Sequence, residues 1–284
     1  MSSARAGTPG AGTLYLVSTP IGNLGDMTYR AVEVLSSTAL VIAEDTRHSR
    51  RLLDHYRIGT PLRSYHEHNE AKETPKLVAR MQAGDSIALI SDAGTPLISD
   101  PGSRLVSAAL DAGVKVVPIP GASAITAALV GSGLSLERFT FFGFLPRKGK
   151  ARAEILAEIV ASRSTAVIYE SPNRVAETLR ELSEAGAAER RAVVARELTK
   201  QFEEFRRGTV AELASAYGGA DPKGEVVLLI AGGDQKKLGE DDLTAAAEEL
   251  RAAGKSARDV MDHLVVVLGA ARNTAYRISH QSRS

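Results

Sequence analysis

Short apolar runs recur through the first half of the chain, and segments with helical periodicity separate them. In the segments between runs, apolar residues return at helical spacing, for example at Leu77, Val78 and Met81. This alternation predicts strands that follow helices in a parallel α/β sheet. The runs are nearly continuous and rich in β-branched residues, as strands buried on both faces should be: Leu14–Val17, Leu40–Ala43, Ile87–Ile90 and Val114–Val117.

A second set of apolar runs follows, and a helical segment closes the chain. The second set predicts strands at Phe139–Phe142, Ala166–Tyr169, Ala192–Ala195 and Val226–Ala231, with helices at Ala151–Ala161 and Val175–Ala185. Gly254 and Gly269 divide Asp241–Ser284 into three short helices, which resemble a helix-turn-helix bundle. The predicted fold class is α/β. The predicted parts are a disordered tail (1–12), two α/β domains (13–135 and 136–235) and a C-terminal helical domain (240–284).

Composition narrows the possible chemistry. The 284 residues are 44% hydrophobic, which is enough for a sizeable core. The absence of cysteine excludes disulfides, thiolate metal sites and cysteine nucleophiles. A net charge of +1 argues against a uniformly basic surface but is compatible with a local basic patch. With 5% aromatic residues and no tryptophan, base stacking is not expected to be the main binding device.

No segment of the sequence indicates a membrane protein. The stretch 116–136 is uncharged, but it contains Pro118, Pro120 and several glycines. It therefore predicts a strand, a turn and a short buried helix rather than a membrane span. The N-terminal residues have no apolar stretch typical of a targeting signal. We expect a soluble, cytoplasmic protein without a membrane partner.

Three loops that follow predicted strands are rich in glycine and proline. They cover residues 18–26, 91–102 and 118–124. Ligands of open α/β sheets bind outside the carboxyl ends of the strands, so these loops predict a ligand site. Ordinary turns use the same residues, but the loop Asp92–Gly102 is eleven residues long, whereas a tight turn between a strand and a helix takes about 2–6.

The type of ligand follows in part from motifs that are missing. Neither G-x-x-x-x-G-K-[ST] nor G-x-G-x-x-G occurs in the sequence, so neither common phosphate-binding loop is present. A ligand without phosphates fits better. An adenosyl group that carries a sulfonium satisfies this description, although the residues alone do not select it.

The loop motifs and several later ones strongly resemble the bacterial 16S ribosomal RNA cytidine 2′-O-methyltransferases, of the tetrapyrrole methylase-like class. The resemblance covers residues 13 to 231. It implies S-adenosylmethionine as cofactor in a cleft between two α/β domains, a homodimer, and a substrate that is 16S rRNA or the small ribosomal subunit. The motifs appear in order at Thr19–Asp26, Ala43–His48, Ser91–Pro96, Pro118–Ala124, Gly143–Lys148, Tyr169–Pro172, Ala195–Lys200 and Lys223–Glu225.

The resemblance also implies which residues bind the cofactor. Two of them have simpler explanations, because Ser123 can cap a helix and Asp92 can anchor its own loop. The implied cofactor residues are Pro20, Asp92, Gly94, Thr95, Pro96, Gly121, Ala122, Ser123, Ala124 and Tyr169.

A general base would assist removal of the ribose hydroxyl proton. The catalytic candidates are Glu44, Asp45, His48 and Lys200, with Glu170 and Glu197 as further possibilities. Glu44 and Asp45 directly precede a predicted helix, so capping is the alternative role for both. His66 and His68 would share one face of a strand, but no third ligand is near them and we predict no metal site.

A basic run at Arg147, Lys148, Lys150 and Arg152 is the candidate surface for RNA phosphates. The alternative is an ordinary solvated face. Two other functions stay open on the same fold: methylation of a small tetrapyrrole-like molecule, and a non-catalytic RNA-binding or assembly factor.

Overall fold

The computed structural model describes residues 12–219, 223–233, 240–266, 268 and 270–280. Its first sheet has five strands in the order β3-β2-β4-β1-β5, and all of its pairings are parallel. The strands β2 and β4 are buried along their whole length because helices cover both faces. The five strands are β1 (Thr13–Val17), β2 (Leu40–Ala43), β3 (Leu62–Ser64), β4 (Ile87–Ile90) and β5 (Lys115–Ile119).

Three of the five helices of this first part begin at polar side-chain caps that the sequence supplies. Thr28, Asp45 and Ser123 each accept a hydrogen bond from a backbone N–H in the first turn that follows. The five helices are α1 (Tyr29–Ser37), α2 (Thr46–His55), α3 (Glu70–Gln82), α4 (Ser103–Asp111) and α5 (Ala124–Ser132).

The second sheet is mixed rather than parallel. Its order is β6-β7-β10-β8-β9, and within it β6 and β7 pair in parallel while the other neighbours are antiparallel. Its strands are β6 (Phe139–Phe144), β7 (Thr165–Glu170), β8 (Arg191–Arg196), β9 (Glu204–Thr209) and β10 (Val226–Ile230). The helices are α6 (Lys150–Ala161), α7 (Val175–Leu182) and α8 (Val210–Tyr217).

The predicted α/β fold class is confirmed, and the predicted strands reappear within a residue or two of their ends. The sequence pattern missed the edge strands β3 and β9, in which most positions are polar and partly exposed. Most of the predicted tail, residues 1–11, lies outside the described residues. Gly12, the last residue of that tail, is among the described residues and donates its N–H to the carbonyl of Met81 at 2.7 Å.

Both sheets belong to one unit, formed by residues up to 160 and residues 164–231. A second unit contains residues 161–163 and those from 232 onward. Its helices α9 (Glu240–Ala252), α10 (Ala257–Val266) and α11 (Arg272–His280) pack around a small apolar core that includes Leu243, Val260 and Ile278. Among the described residues, no helix has the length and apolar character needed to cross a membrane.

Candidate functional site

The loop after β4 is joined to the loop after β1 by backbone hydrogen bonds. Thr19 N–H donates to the carbonyl of Gly94 at 2.9 Å, and Gly94 N–H donates back to the carbonyl of Thr19 at 3.0 Å. The hydroxyl of Ser91 also donates to the carbonyl of Gly94. Two of the glycine- and proline-rich loops therefore form one rigid wall.

The long loop 91–102 holds several residues in the left-handed backbone region. Gly94 has φ 82° and Gly102 φ 134°, and two residues with side chains, Leu97 and Ser99, have φ 71° and 67°. Such conformations cost free energy in a non-glycine residue and cluster at functional sites. Their effect here is to bring Ile98, Ser99 and Asp100 to the surface of a cavity.

The loop 121–124 adds a second wall. The hydroxyl of Thr95 donates to the carbonyl of Ala122 at 3.3 Å, and it lies 3.1 Å from the hydroxyl of Ser18. At Gly121, a Cβ atom would lie 2.9 Å from the Cβ of Ser18, so only glycine allows this approach. Ser123 caps α5 and also lines the cavity, so both predicted roles of this residue are compatible.

These walls and the edge of the second sheet enclose a cavity of about 380 Å³. Of the ten residues predicted to bind a cofactor, six line it: Asp92, Gly94, Thr95, Ser123, Ala124 and Tyr169. The other four, Pro20, Pro96, Gly121 and Ala122, are not among its lining residues but belong to the same loops. Lining residues that the sequence reasoning did not single out include Ile21, Asp100, Phe144, Leu198 and Glu225.

The cavity is acidic. Asp92, Asp100, Glu170 and Glu225 line it, and none of the lining residues, all within the described part of the chain, is lysine or arginine. Burial, together with the charges of Glu44 and Asp92, raises the pKa of Asp100 to about 6. Burial likewise raises the pKa of Tyr169 to about 12, with the charges of Asp100 and Glu225 adding to it. This electrostatic environment favours a ligand with a positive charge and disfavours phosphates.

The candidate bases Glu44, Asp45 and His48 are not among the residues that line the cavity. Asp45 caps α2 through Arg47 N–H at 2.8 Å, and the hydrogen bond from the Arg47 side chain lowers the pKa of its carboxyl. The N–H of Asp45 donates to Oδ1 of Asp92 at 3.3 Å, which links this motif to the cavity wall. Glu44 and His48 are exposed.

Lys200 is placed as a fixed cation rather than as a base. Its Nζ lies 2.8 Å from Oε1 of Glu197 and 2.8 Å from Oε2 of Glu225. Burial acts to lower the pKa of Lys200, but the hydrogen bonds to the two carboxylates outweigh it and raise that pKa. The alkyl chain packs on Gly22, where a Cβ would lie 2.4 Å from Cγ of Lys200. The side chain thus connects the loop after β8 with the loop after β1.

Of the four residues predicted to form a basic surface, three are exposed and one is buried. Arg147, Lys148 and Lys150 are exposed, whereas Arg152 is 3% exposed. Nε of Arg152 donates to Glu181 at 2.9 Å, and its terminal nitrogens donate to the Thr178 hydroxyl and the Pro146 carbonyl. The prediction that Arg152 faces RNA phosphates is therefore wrong, because the guanidinium is enclosed and its hydrogen bonds are used by the fold.

Glu170 lines the cavity but is held by the fold. It is buried, and its carboxylate accepts hydrogen bonds from the Ser171 N–H and the Thr178 hydroxyl at 2.9 and 2.7 Å. The rings of His66 and His68 lie 5.8 Å apart, and the described residues contain no group of three or more His, Cys, Asp or Glu that could hold a metal ion.

Comparisons with known proteins agree with this architecture. A family model described as tetrapyrrole (corrin/porphyrin) methylases matches residues 13–214. The chain is 46% identical over 271 residues to ribosomal RNA small subunit methyltransferase I of Synechocystis sp., which covers 94% of this chain and 97% of that protein. It is 49% identical over 239 residues to the protein of the same name from Pseudomonas aeruginosa, with 84% of each chain covered.

Among solved structures, the fold resembles uroporphyrin-III C-methyl transferase from Thermus thermophilus, which was solved in complex with S-adenyl homocysteine. The TM-score is 0.55 at 18% identity, over 78% of this chain and 97% of that one. At this identity the likeness concerns the fold.

Proposed function

Because the chain belongs to the tetrapyrrole methylase family, and within it to the ribosomal RNA small subunit methyltransferase I group, we propose that it methylates small-subunit ribosomal RNA. The proposed reaction transfers a methyl group from S-adenosylmethionine to the ribose 2′-hydroxyl of a cytidine in 16S rRNA. The RNA substrate is inferred from the names of the relatives, and the methylated position, the ribose 2′-hydroxyl, is inferred from the resemblance of the loop motifs.

The charge of the cavity is the observation that supports the cofactor most directly. S-adenosylmethionine is cationic at sulfur and has no phosphate, and when bound it supplies an electrophilic methyl group. A cavity lined by Asp92 and Asp100, neither of which is ion-paired within the described residues, and by no lysine or arginine suits such a ligand. We propose that the carboxylates of Asp92 and Asp100 face the positive charge of the cofactor, and that the apolar side chains of Ile21 and Leu198 contact its adenine ring.

The protein's contribution to the reaction is mainly positioning. Rigid loops fix the cavity, and holding two reactants in line can supply several kcal/mol of the barrier reduction, about 7–11 kcal/mol at most. Of the four predicted bases, Lys200 is ion-paired and Asp45 is used as a helix cap. Glu44 and His48 stay the candidates to accept the hydroxyl proton, since both are exposed and lie within three residues of Asp45, whose N–H donates to Asp92.

The substrate, the assembly and the location complete the proposal. Arg147, Lys148 and Lys150 would contact phosphates of 16S rRNA or of the small ribosomal subunit. A homodimer is supported by the exposed apolar side chains Val130 and Leu136, which are 70% and 43% exposed. The cytoplasm follows from the substrate, since ribosomal RNA is found there.

The test is a methyl-transfer experiment with purified protein and cofactor labelled on the methyl group. Small ribosomal subunits, naked 16S rRNA and a tetrapyrrole precursor serve as parallel acceptors, and the labelled product is mapped. Label on a ribose 2′-oxygen of the RNA is the expected result. Label on the tetrapyrrole would overturn the proposal, and cofactor binding without any transfer would point to an assembly factor instead.

A further inference from the structure

The strand β6 contains a one-residue bulge that determines where Phe144 points. Phe141 pairs with Val167 of β7, and Phe144 pairs with Tyr169, so three steps along β6 match two steps along β7. Residues three apart in a regular strand face opposite sides of the sheet. The extra residue, together with φ 64° at Gly143, brings Phe144 to the same side as Phe141 and Tyr169.

This geometry leaves an aromatic face at the cavity. Phe144 lines the cavity, yet its side chain is 58% exposed. Its ring centroid lies 5.4 Å from that of Tyr169, whose own ring contacts Phe141 at 4.9 Å. The ring is therefore supported from behind, and much of its surface is open to a ligand.

The segment after Phe144 is fixed and cationic. Leu145 is buried, and the carbonyl of Pro146 accepts hydrogen bonds from Arg152 and Arg174, each at 3.1 Å. The next two residues, Arg147 and Lys148, are exposed and form no ion pair within the described residues. A rigid aromatic ring next to two available cations is the combination that binds an unstacked nucleotide, with its base on the ring and its phosphates on the cations.

On the basis of the proposed function, we propose that Phe144 stacks against the base of the target nucleotide and so positions its ribose at the cavity. A ribose within an RNA strand must leave its neighbours to enter an enclosed site, and an extruded base needs a surface that replaces the lost stacking. Phe144 supplies this surface, and Arg147 and Lys148 hold the flanking phosphates.

The first test compares single variants in the methyl-transfer assay. Phe144→Leu keeps an apolar side chain but removes the aromatic ring, whereas Phe144→Tyr keeps the aromatic ring. Phe139→Leu is the matched control, because Phe139 is a 50% exposed residue of the same strand that does not line the cavity. We expect Phe144→Leu to raise KM for the RNA substrate about 5- to 100-fold. Phe144→Tyr and Phe139→Leu should stay within about twofold of wild type.

Cofactor affinity, measured by calorimetry, and oligomeric state, measured by light scattering, should not change in Phe144→Leu. If the cofactor Kd rises as much as KM for RNA, Phe144 belongs to the cofactor wall and the proposal is wrong. A shift in oligomeric state would instead make it an interface residue, and an effect no larger than that of Phe139→Leu would also reject the proposal.

The second test removes the base instead of the ring. An RNA substrate with an abasic ribose at the mapped target keeps the 2′-hydroxyl but has nothing to stack. For wild-type protein, KM for this RNA should rise by about the same factor as Phe144→Leu raises KM for intact RNA. In the Phe144→Leu variant, removal of the base should raise KM little further. Independent, multiplying effects would contradict a contact between the ring and the base. Wild-type protein that methylates no RNA at all would refute the proposed function, before any variant is compared.

Discussion

Lys200 and Glu225 form an ion pair at 2.8 Å between the loop after β8 and the residue that precedes β10. Because Glu225 lines the cavity and Lys200 also packs on Gly22, this pair holds one side of the cavity against the loop after β1. Glu197 shares the same ammonium, at 2.8 Å. The protonated lysine therefore reduces the repulsion between two carboxylates, which it holds on the same ammonium.

Replacing Lys200 distinguishes this structural role from a role in proton transfer. Lys200→Met leaves the two carboxylates without a counter-charge, and we expect a loss of about 1–2 kcal/mol in the free energy of unfolding together with weaker cofactor binding. Lys200→Arg keeps the charge, so its kcat should stay within about tenfold of wild type. A general base would instead lose about 10²–10⁴-fold in kcat in both variants, which pre-steady-state methyl transfer would detect.

The raised pKa of Asp100 makes cofactor binding depend on pH. The carboxyl has a pKa of about 6 in the free protein, so it is ionised at pH 7 and largely protonated at pH 5. If its charge holds the cationic cofactor, affinity should fall as the pH drops below 6, by at most about tenfold per unit. Titration calorimetry from pH 5 to 8 measures this. Asp100→Asn should bind more weakly at pH 7 and show a flatter profile, and an equally steep profile in the variant would exclude Asp100 as the cause.

The sequence was most informative where one physical constraint acts alone. Burial on both faces makes strands such as Ile87–Ile90 continuous apolar runs, and these were found. The edge strand Glu204–Thr209 carries polar residues because one side of it meets solvent, so no apolar run marked it.

The site was predictable in its loops but not in its electrostatics. Glycine and proline mark the loops because backbone geometry requires them, and six of the ten predicted cofactor residues line the cavity. The environments of Asp100 and Arg152 depend on partners distant in sequence. Asp100 owes its raised pKa first to burial and then to Glu44 and Asp92. Arg152 is enclosed by Glu181 and Thr178, some 26 to 29 residues away, so the basic run suggested an exposure that it does not have.

Arg152 should prove essential for stability. Replacing it with alanine leaves Glu181 and the Thr178 hydroxyl without their donor and opens a space beside the core, because the side chain is buried. We expect Arg152→Ala to lower the free energy of unfolding by about 3–5 kcal/mol in urea denaturation. Lys150→Ala is the matched control from the same basic run. The Lys150 side chain is 90% exposed, so Lys150→Ala should change the free energy of unfolding by no more than about 0.5 kcal/mol. Similar effects in the two variants would argue against the buried network.

The contact between Gly121 and Ser18 can be tested with a single methyl group. In Gly121→Ala the new Cβ would meet the Cβ of Ser18 at 2.9 Å and push the two cavity loops apart. We expect about a tenfold rise in the cofactor Kd, with about 1–2 kcal/mol lost from the free energy of unfolding. Gly59→Ala serves as control, because a Cβ at Gly59 meets no atom within 4 Å. Unchanged cofactor binding in Gly121→Ala would show that the close packing of these loops is not required for the site.

Asp100 should also reduce the stability of the ligand-free protein. The folded chain binds the Asp100 proton more tightly than the unfolded chain, with a pKa of about 6 against the ordinary 3.8. Folding therefore takes up a proton between about pH 4 and 6, and the free energy of unfolding falls as the pH rises through this window. Asp100→Asn removes this dependence and should stabilise the ligand-free protein by about 1–3 kcal/mol at pH 7.

The gain should shrink as the pH falls towards 4, where the wild-type carboxyl is protonated in the folded chain and about half protonated in the unfolded chain. Asp111→Asn, at an exposed position of α4, should change the free energy of unfolding by less than about 0.5 kcal/mol at either pH. Urea denaturation of the three proteins at pH 7 and pH 5 measures all of these differences. A variant that binds the cofactor more weakly and yet unfolds less readily would show that the acidic cavity costs stability in the free protein. Loss of stability in Asp100→Asn at pH 7 would show instead that the carboxylate is needed by the fold.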